Sequence, residues 1–298
     1  MSPGADGEST PASEKRRADL ALVADGLAPT REKARALILA GRVSRDGRPV
    51  AKAGEVVPPG ATLVVEEGLA YVSRGGHKLA HALDRFEVDP TGLTCLDLGA
   101  STGGFTDCLL QRGAVRVIAV DVGHGQLDWS LRQDDRVTCL EKVNARYLTP
   151  EQVGVVPELV TADLSFISVL KVLPALKDCA PGAPFVTLVK PQFEAGRREV
   201  GRKGVVRDPL VWRRVLGEVA DGLLGHGWDV IGATVSPIAG PAGNREFLLH
   251  GRPSAGPTEP LEPGLLDRAV EEAITASSGA PDGASEGGPN SGPTRGQN

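Results

Sequence analysis

No apolar run in the 298 residues comes near the 18 that a membrane-crossing helix needs. The opening stretch, MSPGADGESTPASEKRR, lacks the apolar segment of a signal peptide, so a cytoplasmic protein is expected. Cysteine is scarce. Cys95, Cys108, Cys139 and Cys179 are scattered, with no C-x-x-C pair and no metal-ligand spacing. Neither a disulfide framework nor a bound metal is expected; Cys95 and Cys139 fall in strand-like runs and read as small buried hydrophobes. A strong positive charge is missing too. The net charge is −5, which at first sight argues against a nucleic-acid partner.

The distribution of charge reverses that impression. Residues 251–298 hold seven acids and three bases, Asp6 and Glu8 lie in the first thirteen, and residues 14–250 alone carry +1. Both ends, 1–14 and 251–298, are expected to be disordered, the latter an acidic tail rich in Gly, Pro and Ser with a short helix around Leu265 to Ile274. Residues 15–67 form a unit of their own. Two short amphipathic helices, Arg17 to Asp25 and Thr30 to Leu39, precede a tight Asp46-Gly47 turn and short strands at Val56 and Thr62 to Val65. Thr30 is the expected N-cap of the second helix. From Lys15 to Lys52 ten bases face four acids, a net of +6. Such a run can be a solvated helix face, but its density in a compact unit suits a phosphate-contacting surface. The stretch ADGLAPTREKARALILAGRVSRDGRPV, at 24–50, resembles the S4-like RNA-binding module. That resemblance implies that the unit grips structured RNA by shape and phosphates, with Arg16, Arg17, Arg31, Lys33, Arg35, Arg42 and Arg45 as the expected contacts.

Beyond a linker at 68–76 and a helix from His77 to Phe86, strand-like and helix-like runs alternate to residue 250. Strands are expected near 93–98, 115–120, 137–141, 158–163, 184–190, 228–235 and 245–250, and helices near 102–112, 125–132, 168–178 and 209–226. The pattern predicts an α/β domain over 77–250, a seven-stranded doubly wound sheet of the Rossmann-like class I methyltransferase type.

The first of these strands runs into CLDLGASTGGF, a glycine-rich loop that opens a helix. Strand, loop and helix in that order bring a ligand close to bare backbone. The G-x-G-x-x-G dinucleotide pattern is incomplete, because the loop reads Gly99-Ala100-Ser101-Thr102-Gly103-Gly104. Asp97 at the loop mouth would repel a pyrophosphate and suit the ammonium and sulfonium of S-adenosylmethionine (SAM). About twenty residues on, a second apolar run ends in Asp121, which can accept both ribose hydroxyls. A SAM site built from Asp97, Gly99, Ala100, Ser101, Gly103, Gly104, Phe105, Asp121, Asn144 and Asp163 is expected, with Asn144 as the adenine contact. A dinucleotide site and a plain glycine turn remain as alternatives.

Ligands in such sheets bind beyond the carboxyl ends of the strands. Asp163, Lys190 and Glu246 stand at those ends, and Lys78 opens a helix at the same edge. Methylating a ribose 2′-hydroxyl needs a base, and a lysine serves if burial and a neighbouring cation lower its pKa. Lys78 beside Lys190 would do this, with Asp163 and Glu246 orienting both ammonium groups. An Asn/Asp-Pro-Pro-Tyr loop for base N-methylation is absent after strand four, and no cysteine stands there for C5-methylation. Arg74 and a glycine-rich insertion at 192–208 carrying Arg197, Arg198, Arg202 and Lys203 are expected to touch RNA, although the insertion also reads as a surface loop.

The segments SRGGHKLAHAL (73–83), LDLGASTGGFTDCLLQRGA (96–114), ADLSFIS (162–168), LVKPQFEAG (188–196) and GNREFLL (243–249) resemble the TlyA family. That resemblance implies an S4-domain rRNA cytidine 2′-O-methyltransferase that uses SAM, acts on ribosomal subunits and carries a haemolysin name in many members. The Lys-Asp-Lys-Glu tetrad of related FtsJ-type enzymes falls on Lys78, Asp163, Lys190 and Glu246. The linker departs from some members, with Tyr71 where they have tryptophan. A monomer is expected. The rival readings are a non-catalytic RNA-binding assembly factor with a vestigial SAM pocket and a membrane-lytic haemolysin, the latter without an amphipathic basic helix to support it.

Overall fold

In the computed structural model the described residues are 16–39, 43–50, 52–65, 71–196, 198–201, 204–256 and 261–278. They fall into two compact units that divide between Ala70 and Tyr71.

In the first unit, β1 (Arg16–Arg17) leads into α1 (Ala18–Ala24), followed by α2 (Arg31–Leu39), β2 (Val43–Arg45), β3 (Arg48–Pro49), β4 (Val56–Val57) and β5 (Leu63–Val65). Strand β2 pairs antiparallel with both β3 and β5, and β1 with β4. Thr30 Oγ1 accepts the Lys33 N–H at 3.1 Å and so caps α2. Asp46 and Gly47 both have positive φ, 49° and 77°, as the two-residue turn of a tight hairpin requires. Ala18, Ala21 and Leu22 of α1 meet Ala34, Leu37 and Ile38 of α2 and Val43, Val57 and Leu63 of the strands in one small core.

The second unit has a seven-stranded sheet. Its strands are β6 (Thr94–Leu98), β7 (Arg116–Asp121), β8 (Val137–Glu141), β9 (Leu159–Ala162), β10 (Phe185–Val189), β11 (Trp228–Val235) and β12 (Phe247–Pro253). Their order across the sheet is β11-β12-β10-β9-β6-β7-β8. Strands β6 to β10 run parallel, and β12 is antiparallel to β10 and β11. This is the expected doubly wound architecture. Both faces are covered, which is why the strands read as near-continuous apolar runs. Within β7, Ile118 and Val120 join one core with Leu173, Trp212 and Leu216, while Val117 and Ala119 join the other with Leu79, Phe105 and Leu109. The second core packs under α3 (Gly75–Phe86) and α4 (Gly104–Gln111), and after the short helices α5 (Trp129–Arg132) and α6 (Pro150–Val153) the first packs under α7 (Leu173–Cys179) and, beyond the short α8 (Pro191–Glu194), α9 (Pro209–Gly225).

Two boundaries differ from the sequence reading. Helix α3 starts at Gly75, and Tyr71 and Val72 pack against the second core, so residues 71–76 belong to the second unit rather than to a linker. The ordered chain does not stop at 250. Strand β12 runs to Pro253, and a full helix, α10 (Leu265–Ser278), buries Leu265, Leu266, Ala269, Val270 and Ala273 against the sheet. Spacings of three and four place those side chains on one face. The helix expected around Leu265 to Ile274 is therefore present and longer, and it packs on the core instead of standing in a disordered tail. Residues 1–14 and 279–298 lie outside the described residues.

Candidate active site

Strand order reverses at β6, whose neighbours are β7 on one side and β9 on the other. A crevice opens at such a point, beyond the carboxyl ends of the strands. The chain turns there from Leu98 into α4 through the glycine loop. Gly99 has φ +81°, and a Cβ on it would lie 2.6 Å from the Asp163 carbonyl oxygen. Gly103, the N-cap of α4, has φ +98°, and its Cβ would meet Leu131 Cδ1 at 2.2 Å. Only glycine fits either place. The loop is further held by Asp121, which accepts the Ser101 N–H at 2.8 Å and the Gly123 N–H at 2.6 Å. The residues before α3 close on it too. Val72 N–H donates to Asp107 Oδ2 of α4 at 2.7 Å.

Two cavities share this loop. The larger, about 600 Å³, runs from Gly99 and Ser101 past Asp121 and Gly123 to Asn144 and Phe166. Its volume falls in the range of about 300–1,000 Å³ usual for small-molecule sites. The smaller, about 310 Å³, is lined by Arg74, Lys78, Ala100, Phe105, Lys190 and Glu246 among others. Gly99, Ser101, Asp163 and Ser165 belong to both, so the two spaces meet at the end of β9.

At that junction the structure brings together two lysines and two carboxylates. Lys78 Nζ donates to Glu246 Oε2 at 2.5 Å. Lys190 Nζ lies 2.6 Å from Asp163 Oδ1 and donates to Ser165 Oγ at 2.9 Å. Lys78, Lys190 and Glu246 are buried, and Asp163 is half-buried. Each lysine thus has its own carboxylate, and the pairs sit on opposite sequence neighbourhoods: α3 with the start of β12, and the end of β10 with the end of β9. Gln192 Nε2 adds a long contact, 3.4 Å, to Glu246 Oε1.

Other expected site residues are placed differently. Asp97 does not face the cofactor space. It has no exposed surface, lines neither cavity, and accepts hydrogen bonds from Thr106 Oγ1 at 2.7 Å and Thr161 Oγ1 at 3.2 Å. Burial pushes its carboxyl up to about 7, against the lowering effect of the Thr106 hydroxyl. Asp97 therefore ties the first turn of α4 to β9 beneath the loop. Gly103 shapes the loop without lining either cavity. Asn144 lines the larger cavity, and its Oδ1 accepts the Arg146 N–H at 3.0 Å.

Among the bases expected to touch RNA, Arg74 is exposed and lines the smaller cavity, and Arg198 is exposed. Arg42, Arg197, Arg202 and Lys203 lie outside the described residues. Two residues carried no expected role. Ser165 is the second partner of Lys190. Phe166 is 90% exposed at the cavity rim with φ +66°, its ring 5.2 Å from that of Phe193. A phenylalanine in the loop that follows a ligand-facing strand end, in a chain with six of them, was the available signal.

The matches to known proteins agree with this geometry. Residues 71–252 match the FtsJ-like methyltransferase model, and residues 16–63 match the S4 domain. The 16S/23S rRNA (cytidine-2′-O)-methyltransferase TlyA of Mycobacterium tuberculosis is 50% identical over 240 residues, 80% of this chain and 90% of the relative. Hemolysin A of Brachyspira hyodysenteriae is 39% identical over 236 residues, 78% and 98% of the two chains. A solved Streptococcus thermophilus structure that also carries a hemolysin name superposes with a TM-score of 0.68 at 41% identity, covering 89% of this chain and 98% of its own. The chain belongs to the TlyA family of FtsJ-like methyltransferases, with an S4 domain ahead of the methyltransferase domain.

Proposed function

We propose that this protein is a SAM-dependent methyltransferase that modifies the ribose 2′-hydroxyl of cytidine in ribosomal RNA. The observation that carries the proposal is the junction of the two cavities, where Lys78–Glu246 and Lys190–Asp163 meet the glycine loop.

The larger cavity fits SAM. Gly99 lets the loop pack directly against the backbone at the end of β9, Asp121 offers a carboxylate for ribose hydroxyls, and Asn144 offers an amide on the cavity wall. Bound there, SAM supplies a methyl group activated by a positively charged sulfur. The chain's own residues do the rest. Arg74 at the rim of the smaller cavity suits the phosphate of an acceptor nucleotide, and Phe166 offers an exposed ring on which a base turned out of its stack can rest. In its neutral form Lys190 gives its two N–H bonds to Asp163 and Ser165, which leaves the nitrogen lone pair for the acceptor hydroxyl. We assign Lys190 to orient that hydroxyl and take its proton, with Asp163 stabilising the resulting ammonium. Lys78, anchored by Glu246, keeps a second cation against the same wall.

No cysteine lines either cavity among the described residues, which leaves a C5-directed covalent mechanism without a nucleophile. The relative from Mycobacterium tuberculosis is named for cytidine 2′-O-methylation of 16S and 23S rRNA, and the S4 domain supports an rRNA partner here. Among the described residues no helix is long and apolar enough to cross a membrane. The reading is completed by a cytoplasmic monomer that needs no metal.

Transfer of labelled methyl groups to unmethylated ribosomal subunits, with mass-spectrometric mapping of the 2′-O-methyl site, tests the proposal. Lys190→Ala is expected to lower kcat by about 10²–10⁴-fold while SAM and subunit affinities stay within about twofold. Undiminished transfer by this variant refutes the assignment. Absence of any heat on calorimetric titration of the wild type with SAM refutes the enzyme reading as a whole.

A further inference from the structure

The first unit contains a charge arrangement that its composition hides. Asp19, in the first turn of α1, has no exposed surface, yet three guanidinium groups converge on it. Arg17 binds it as a fork, Nε to Oδ1 at 3.0 Å and a terminal nitrogen to Oδ2 at 3.2 Å. Arg31 Nε donates to Oδ2 at 2.9 Å, and Arg35 Nε lies 3.7 Å from the same oxygen. The arginine side chains themselves remain 45%, 51% and 59% exposed.

We propose that Asp19 is a positioning residue that assembles Arg17, Arg31 and Arg35 into one RNA phosphate-binding surface. The argument rests on reading the S4 domain as the RNA-docking unit, and goes further by saying which bases dock and what holds them.

Arg31 and Arg35 are four residues apart on α2 and so share one face. Three guanidinium groups side by side repel and would splay apart in solvent. A carboxylate at their centre offsets that repulsion, and because it lies beneath them the groups a ligand can touch are the guanidinium edges. Asp19 takes the Nε of Arg31 and is approached by the Nε of Arg35, and among the described residues their terminal nitrogens have no other hydrogen-bond partner. Those outer edges are the bidentate donors that a phosphate accepts. The side-chain ordering that RNA binding would otherwise have to impose is already in place. Other bases of the run are situated differently. Arg16 is forked onto exposed Asp25 at 2.8 and 3.3 Å, and Arg45 is held by Glu55 at 3.1 Å and by the Val56 carbonyl oxygen at 2.7 Å. Lys33, about 200° around α2 from Arg31, leaves from another side of the helix.

The test uses the full chain, its binding to unmethylated ribosomal subunits across a series of KCl concentrations, and steady-state methylation. Asp19→Asn keeps the shape and adds one positive charge. If charge alone governed docking, this variant would bind RNA more tightly. Loss of the assembled surface predicts the opposite: affinity falls by about tenfold, KM for subunits rises to match, and kcat and SAM affinity stay at wild-type values. Arg31→Gln and Arg35→Gln, at exposed side chains, are each expected to weaken binding at least fivefold and to lower the slope of log affinity against log salt by about one. Lys52→Gln removes the same charge from outside the cluster and is expected to cost less than threefold. Equal or tighter binding by a folded Asp19→Asn overturns the proposal. Should Asp19→Asn not fold, the glutamine variants decide alone, and losses no larger than that of Lys52→Gln overturn it. If the wild type itself fails to bind subunits, the reading of this unit as RNA-docking is what fails.

Discussion

Asp97 makes the stability of the methyltransferase domain depend on pH in a direction opposite to that of most carboxylates. Its carboxyl ionises near 3.8 in an unfolded chain and near about 7 in the folded protein, chiefly because burial removes the charged form from water. Between those values the folded state binds a proton that the unfolded state has released. Stability therefore falls as pH rises from about 4 to about 7, and the contribution present below pH 4 is gone above the folded value. The full difference corresponds to about 4 kcal/mol, of which about 2–3 kcal/mol falls between pH 5 and 8. Asp97→Asn keeps the side-chain shape and a partner for Thr106 and Thr161 but cannot ionise. Relative to wild type, the variant should gain about 2–3 kcal/mol on going from pH 5 to pH 8, a difference of about 1 M in urea midpoint. Trp129, Trp212 and Trp228 all lie in the second unit, so tryptophan fluorescence follows its unfolding without interference from the first. Glu194, also raised by burial, titrates in both proteins and cancels in the comparison. A wild-type-minus-variant difference that stays constant across this range would show that Asp97 does not ionise where its burial requires. Because Asp97 lines neither cavity, the variant should still bind SAM within a fewfold of wild type.

Two further outcomes follow from the second unit. Asp121→Asn exchanges a carboxylate oxygen for a donor that faces the loop amides of Ser101 or Gly123, and it removes the charge from any ribose contact. Calorimetry should find SAM affinity lowered about 10–100-fold, and an unchanged affinity would remove Asp121 from the site. Leu266→Ala empties a fully buried place beneath α10 and should cost about 2–5 kcal/mol in urea unfolding. A loss below about 1 kcal/mol would mean that α10 is not part of the core.

The sheet was legible because its strands obey a simple rule. Runs such as Val117 to Val120 are apolar on both faces, and each ends at a residue of functional type: Asp121, Asp163, Lys190. Edge geometry then follows from topology, since parallel strands deliver their ends to one side. The reading of Asp97 went astray for a reason that strand periodicity itself contains. Counting by two from Cys95, which joins the core under α4, puts Asp97 on the same buried face, beneath Thr106 rather than at the loop mouth. Helix α10 was legible around Leu265 to Ile274, but the Gly- and Pro-rich composition around it hid that its apolar face packs on the core.

Charge was the least legible property, and the reason is geometric. Counted along the chain, the ten bases of 15–52 are equivalent; in the fold they are not. Arg16 and Arg45 meet carboxylates that remain partly exposed, 34% for Asp25 and 28% for Glu55, so each pair presents both signs to an approaching polyanion. Arg17, Arg31 and Arg35 share a carboxylate with no surface, and present one sign only. The side chain of Asp19 is held ionised at about 2, chiefly by its hydrogen bond from Arg17, so the cluster keeps its central charge across the whole range in which RNA is handled. Attraction at a surface depends on which counter-charges the solvent can see. A buried acid that gathers exposed bases lowers the net charge by one yet concentrates several positive groups in one patch, which is how a chain of net charge −5 can carry a surface suited to RNA.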